Sequence, residues 1–331
     1  MALDFDRFLD ERDPSVCRTN YGSYMLTTSL ADWAELMSLQ GCREPWPVVV
    51  DGMLDSMSQR IYSPSMTGMG LFNLGEIDNE EDEEEDLGDA VKSILEYRSR
   101  VLKDRYPFCF DAQNCFSLKK GFVLNKNPYT VLLMLSLLKG WESDKKAHQV
   151  CYRLFEHITK EAFICEGFSA ALMGTAAKGG FRERIGRVGI ELGIRVNPDA
   201  CSRPKMAKDD GVDVVIAKLF RDDRKGEVFI LVQATCGKDT EWSKKLNSTP
   251  SGRWRQYLIA QLTPLCVLSV PYHVSSDEEE RLLGVDAART FVDRVRLAKM
   301  LPQELPLANT DADKEYHNFK AYVSRYFDLD I

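Results

Sequence analysis

The sequence predicts an α/β fold in which a helical N-terminal region precedes a mixed sheet flanked by helices. Three observations predict it. The segments "VDVVIAKLF" and "EVFILVQAT" are rich in β-branched and aromatic residues and flank the charged turn "RDDRKG", which is the pattern of a hairpin. Ahead of them, "NPYTVLLMLSLLKGW" and "HQVCYRLFEHITKEAFICEGF" carry helical spacing of apolar residues. After them the basic helix "TEWSKKL" is followed by "CVLSVPYHV", a buried strand.

The chain has 331 residues, enough for two domains or one elaborated domain, each with its own core. The start "MALDFDRFLDERDPS" has no basic n-region and no apolar h-region, and "YTVLLMLSLL" is too short to cross a bilayer. A cytoplasmic protein with no membrane association is expected. The nine cysteines contain no C-x-x-C pair, so neither a disulfide framework nor a zinc spacing is present, and most are expected as buried thiols. His148, His157, His273 and His317 are far apart in sequence, which argues against a histidine metal site.

Taken element by element, "SLADWAELMSLQG" reads as a helix with Ser29 as N-cap and Gly41 just past its end. The run 76–89, "EIDNEEDEEEDLGD", holds ten acids and no base and is expected to be a solvated, mobile loop. "DAVKSILEYRSRVLKDRYPF" is periodic through Val91, Ile94, Leu95 and Leu102, and "FSLKKGFVLNKN" suggests a short hairpin. The next helix starts near Pro128 and stops at Gly140, apolar on nearly every side and therefore central. In the helix after it Tyr152, Phe155, Ile158 and Phe163 are core candidates, with Glu156 and His157 on the polar side. "KGGFRERIGRVGIELGIRVNP" places Phe181, Ile185, Val188 and Leu192 on one stripe. The expected division is a helical segment 1–75, the acidic loop 76–89, a helical region 90–175 and an α/β domain 176–331.

Charge is distributed unevenly. Without the acidic run, the formal net charge of −8 becomes +2. Lys178 to Gln256 holds 17 Lys and Arg against 11 Asp and Glu, the sign expected around a phosphate-binding groove. "WSKKLNSTPSGRWRQYL" interleaves Trp242, Trp254 and Tyr257 with Lys244, Lys245, Arg253 and Arg255. That pattern suits backbone contact and base stacking, or else an amphipathic helix pair with its aromatics in the core. "GTAAKGGF" lacks the spacing of an NTPase phosphate loop.

With the hairpin turn centred on Asp223, Asp213 falls opposite Gln233, and Thr235 shares the face of Gln233. A slip of one residue would break that cluster. Phosphodiester hydrolysis by a divalent metal needs oxygen ligands with open positions for water and phosphate, and a cation near the developing charge. Asp213 is a suitable anionic ligand and the Gln233 amide oxygen a weaker neutral one.

These residues resemble the PD-(D/E)xK nuclease superfamily, in its Mrr-like restriction endonuclease branch, whose members often read D-G-x-D and then Q-x-K. The resemblance covers about Lys178 to Pro271. It implies a restriction-endonuclease-like core, Mg²⁺ or Mn²⁺ as cofactor, DNA as partner, and endonuclease activity in prokaryotic antiviral defence, gated by a partner protein or a nucleic-acid signal, with oligomers allowed. By resemblance Asp210, Gly211 and Asp213 fall on the first motif with Asp213 as metal ligand, Gln233 falls on the glutamine, and Glu183 on the helical glutamate. Thr235 stands where the branch has lysine. Lys238 could reach back to replace it, or Lys244 or Lys245 could swing in from the following helix. The alternative function is a catalytically silent nucleic-acid-binding or scaffold subunit, and a third is a protein–protein adaptor using the helical half and the acidic run.

Overall fold

The computed structural model describes residues 24–52, 80–141, 145–202, 209–222, 226–237, 241–283, 289–307 and 310–331. The chain forms two compact units: residues 1–125 with 323–331, and residues 126–322. The expected division is therefore redrawn. Region 90–175 does not stand apart, because its second half supplies the first strand of the main sheet and the helices packed on it.

In the first unit, α1 (Tyr24–Leu39) packs against α2 (Glu80–Leu102) and a two-stranded antiparallel sheet of β1 (Phe108–Phe110) and β2 (Phe116–Leu118). Three details differ from the expectations. Ser29 lies inside α1 and does not cap it, since the helix begins at Tyr24. Residues 80–89 are the opening turns of α2 rather than loop, and 76–79 lie outside the described residues. The hairpin is made by "FCF" and "FSL", because the strand after Pro107 offers a closer partner than "GFVLNKN" does.

Between α1 and α2, the fully buried Arg98 forms ion pairs with Asp32 at 2.8 Å and Glu35 at 2.9 Å, and the Tyr106 hydroxyl donates to Glu35. Breaking such a cluster leaves two buried carboxylates without their cation. Arg98→Met should lower stability by about 3–5 kcal/mol; urea denaturation followed by circular dichroism checks it, and a loss below about 1 kcal/mol would contradict it.

The second unit is built on a five-stranded mixed sheet in the order β3-β4-β5-β6-β7: Ser169–Leu172, Val214–Lys218, Val228–Ala234, Leu265–Ser269 and Arg289–Val292. Strands β3, β4 and β5 form an antiparallel meander, and β6 and β7 continue parallel to β5. Its helices are α3 (Pro128–Trp141), α4 (Lys145–Cys165), α5 (Phe181–Leu192), α6 (Trp242–Ser248), α7 (Ser251–Tyr257), α8 (Ser276–Leu283), α9 (Arg294–Met300) and α10 (Thr310–Phe327), which is in this unit as far as Tyr322. The near-continuous apolar runs of β4 and β5 follow from burial on both faces. On one face Val215, Ala217, Phe229 and Leu231 meet the predicted stripe of α5, together with Trp254 and Tyr257 of α7. On the other, α4 packs against β3, β4 and β5, backed by α3 and α9.

Helix α4 ends in a left-handed Gly167 at φ 78°, with Gly167 N donating to Ile164 O and Phe168 N donating to Phe163 O. This paired closure requires a residue without a Cβ penalty and turns the chain directly into β3. Among the described residues no helix is long and apolar enough to cross a membrane.

Candidate functional site

The hairpin register agrees with the expectation. Val214 pairs with Val232, which sets Asp213 beside Gln233 at the end of the sheet. Asp213 N donates to Val232 O at 2.8 Å, and Ala234 N donates to Asp213 Oδ2 at 2.9 Å, so the side chain extends the ladder one step past the strand. The Asp213 carbonyl accepts from Met173 N and Gly174 N. Asp213 Oδ1 has no hydrogen-bond partner among the described residues.

Its neighbour is an acid that the sequence had placed on a solvated face. Glu156, in the middle of α4, is 2% exposed and His157 is 4% exposed. Both are inside because this part of the helix is buried all round: every residue from Leu154 to Thr159 is buried, leaving it no polar side. Glu156 Oε1 accepts from Thr175 N at 2.8 Å and from the Thr175 hydroxyl, and Oε2 accepts from Ala176 N at 2.7 Å. Arg184 of α5 holds the same loop from its carbonyl side, donating to Met173 O, Gly174 O and Gly179 O.

Gly174 lies where the two carboxylates meet. A methyl group on its Cα would overlap Asp213 Oδ1 and stand 2.7 Å from Glu156 Oε1. The glycine is required by close approach, since no side chain fits between the acids. Burial raises the Asp213 carboxyl well above the usual carboxylate range, and the Glu156 and Asp209 charges push it further, against the Ala234 hydrogen bond and the charge of Lys245. Burial raises Glu156 as well, opposed by its bonds to Thr175 and Ala176 and reinforced by Asp209. His157 is lowered to about 4, first by burial and then by Lys160, so it is neutral at pH 7.

The other expected site residues fall as follows. Gln233 stays at the site: its Nε2 donates to Gly211 O at 2.7 Å and to Ser248 Oγ at 3.3 Å. Glu183 does not reach the site. It is exposed at the start of α5, where its carboxylate accepts from Gly180 N as part of the helix cap, and the acid beside Asp213 is Glu156. Lys238 lies outside the described residues, as does Asp223. Thr235 is buried, and its hydroxyl accepts from Gly237 N. Lys244 is exposed on α6, while Lys245 on the same helix is half-buried and acts on Asp213.

Trp254 is fully buried and donates through Nε1 to Asp210 O, so it offers no face for base stacking; Trp242 and Tyr257 are equally buried. The interleaved aromatics are core: α7 turns Trp254 and Tyr257 inward and leaves Arg255 and Gln256 on its exposed side, and Trp242 is buried at the start of α6. Arg253 makes a two-pronged ion pair with Asp210, and Arg255 is exposed with its Nε donating to Ala260 O. Much of the local basic excess is paired, including Lys178 with Asp311 and Arg182 with Asp199.

Among the described residues no three His, Cys, Asp or Glu side chains are gathered closely enough to hold a metal ion by themselves. The eight cysteines among them are free. Glu156, Asp209, Thr175 and Ser248 were missed. Glu156 had a detectable signal: it lies on a helix leading into the first strand of an antiparallel meander, three and seven residues before the buried Thr159 and Phe163.

No known protein-family model, curated protein or solved structure matches this chain.

Two predictions follow from the paired acids. Because the folded-state values of Asp213 and Glu156 are raised, their contribution to stability is complete below the ordinary carboxylate range and is lost as pH rises through the folded values. Asp213→Asn should therefore raise Tm at pH 8 by ~2–4 °C for each kcal/mol of repulsion relieved, with the gain shrinking toward pH 4. Scanning calorimetry across that range checks it, and a gain that grows toward low pH would reverse the assignment. Gly174→Ala should cost about 1–3 kcal/mol in urea denaturation, because the added methyl drives the two carboxylates apart.

Proposed function

We propose that this chain is a divalent-metal-dependent phosphodiester hydrolase acting on DNA. The observation that carries the reading is the convergence of Asp213 and Glu156 over Gly174, at the end of a three-strand meander with Gln233 alongside. Lone-pair accounting tests whether these residues suit Mg²⁺ or Mn²⁺. Asp213 Oδ1 accepts no described hydrogen bond, Glu156 Oε2 accepts only one, and the Gln233 carbonyl oxygen has no described partner. Mg²⁺ is held by one or two carboxylates with several waters retained, so this donor set fits without a third acid.

Asp213 and Glu156 would hold the ion, with Gln233 as a neutral oxygen beside them. When bound, the metal would supply Lewis-acid polarisation of the scissile phosphate and lower the pKa of a bound water. The chain's own contributions are distinct. Asp213 and Glu156 orient the attacking side of the site, and the Ala234, Thr175 and Ala176 N–H groups fix those carboxylates in place. Lys245 supplies the cation that β5 lacks, from helix α6, and would stabilise charge as it develops on the phosphate. Exposed Lys244 and Arg255 suit contact with the DNA backbone, while Arg253 serves Asp210 first. The resemblance adds prokaryotic defence as the setting and a partner or signal as the gate.

A silent DNA-binding subunit is the second reading, favoured by one observation: Thr235, a neutral residue whose hydroxyl accepts from Gly237 N, stands where a strand lysine would supply the cation. Plasmid nicking in Mg²⁺ and in Mn²⁺ separates the two. The parent should nick, Asp213→Ala and Glu156→Gln should abolish it, and Lys245→Met should slow it about 10²- to 10³-fold. A parent inert in both metals that still binds DNA in a salt-dependent way would establish the silent subunit instead.

A further inference from the structure

We propose that Ser248 is a positioning residue that ties helix α6, and with it Lys245, to Gln233, and that the tie fixes which end of the Gln233 amide is left for a ligand. The inference rests on the hydrolase reading and adds a residue which neither the charge pattern nor the resemblance singled out. An amide side chain can present either its NH₂ or its oxygen, and only the oxygen is useful beside a metal or a phosphate-bound water.

The orientation follows from its surroundings. The Gly211 carbonyl can only accept, and it lies 2.7 Å from one end of the amide, which must therefore be Nε2. The Ser248 hydroxyl has one proton, and it is given to Lys245 O at 2.9 Å, so the hydroxyl oxygen faces Gln233 as an acceptor at 3.3 Å. Both Nε2 hydrogens are thereby used, and the Gln233 oxygen remains without a partner among the described residues. A reversed amide would set its oxygen against the Gly211 carbonyl and leave two donors idle.

The acceptors are held firmly in turn. Asp210 and Gly211 both adopt left-handed backbone, at φ 51° and 74°. A Cβ on Gly211 would stand 3.3 Å from Gln233 Nε2. Asp210 is gripped by Arg253 through two bonds, and its carbonyl by Trp254 Nε1. The Ser248 proton returns to the carbonyl of Lys245, one turn back on α6, so movement of that helix end carries Ser248 and Lys245 together. Helix α6 has only seven residues, and Ser248 is where its exposed end is tied to β5. The hydroxyl acts through Gln233 and Lys245 and needs no contact with substrate.

The test compares Ser248→Ala, which deletes the acceptor, with Ser248→Thr, which keeps it. Ser248→Ala should raise the Mg²⁺ concentration giving half-maximal plasmid nicking about two- to tenfold, the worth of one neutral hydrogen bond, at unchanged Tm; Ser248→Thr should stay within about twofold of the parent. Independently of activity, the side-chain NH₂ resonances of Gln233, assigned with Gln233→Leu, should shift and exchange faster with solvent in Ser248→Ala only. An Mg²⁺ midpoint and Gln233 resonances both unmoved by Ser248→Ala would overturn the proposal. A parent that neither binds Mg²⁺ nor nicks would sink the hydrolase reading alone. The Gln233 resonances then decide the tie, supporting it if Ser248→Ala moves them and overturning it if not.

Discussion

Placing Glu156 beside Asp213 at the end of a buried sheet costs free energy that can be offset by hydrogen-bond donors, by a proton or by a cation. Donors account for part of it. Three reach Glu156 from the loop after β3, and one reaches Asp213 from β5. The remainder is carried mainly by burial, which raises both carboxyls above their ordinary range, with the Glu156 charge adding to it at Asp213 and the Asp209 charge at both. Like-charge pairs that destabilise a fold are a common mark of functional sites, since selection for stability alone would favour an amide or an apolar pair.

Much of the second unit can be understood as support for that pair. The glycine closure of α4 delivers the chain into β3 so that the loop from Gly174 returns over Glu156. The loop is held from opposite sides, its N–H groups by Glu156 and its carbonyls by Arg184. The antiparallel register carries Asp213 to Gln233, and the parallel addition of β6 satisfies the outer side of β5, with Thr235 N donating to Ser269 O just beyond its end. Charged side chains thus take over hydrogen-bonding duties that regular structure would otherwise perform.

Elements whose identity depends on local pattern were legible in the sequence. The hairpin and its register came from β-branched runs around a polar turn, and α5 from its apolar stripe. The site was only half legible. Asp213 and Gln233 are close because of local pairing, which sequence spacing encodes, whereas Glu156 and Asp213 are 57 positions apart and meet only through the packing of α4 on the sheet. Glu183 was chosen because the resemblance puts a glutamate on a helix, but its carboxylate serves the start of that helix by accepting from Gly180 N. Trp254 misled for a related reason: alternation of aromatic and basic residues fits a binding strip and a small buried helix equally well until its neighbours are known. Residues 80–89 of the acidic run are helical where a loop was expected, because acidic composition is as compatible with the first turns of a helix as with a loop, while 76–79 lie outside the described residues.

The central claim is that the two carboxylates form one site for a divalent cation. A crystal of the parent protein soaked in Mn²⁺, with diffraction recorded at the manganese absorption edge, tests it most directly. The account predicts an anomalous peak about 2.0–2.3 Å from both Asp213 Oδ1 and Glu156 Oε2, with water filling the remaining positions. Saturating Mn²⁺ with no peak there, and the two carboxyl groups bridged by a shared proton instead, would contradict it.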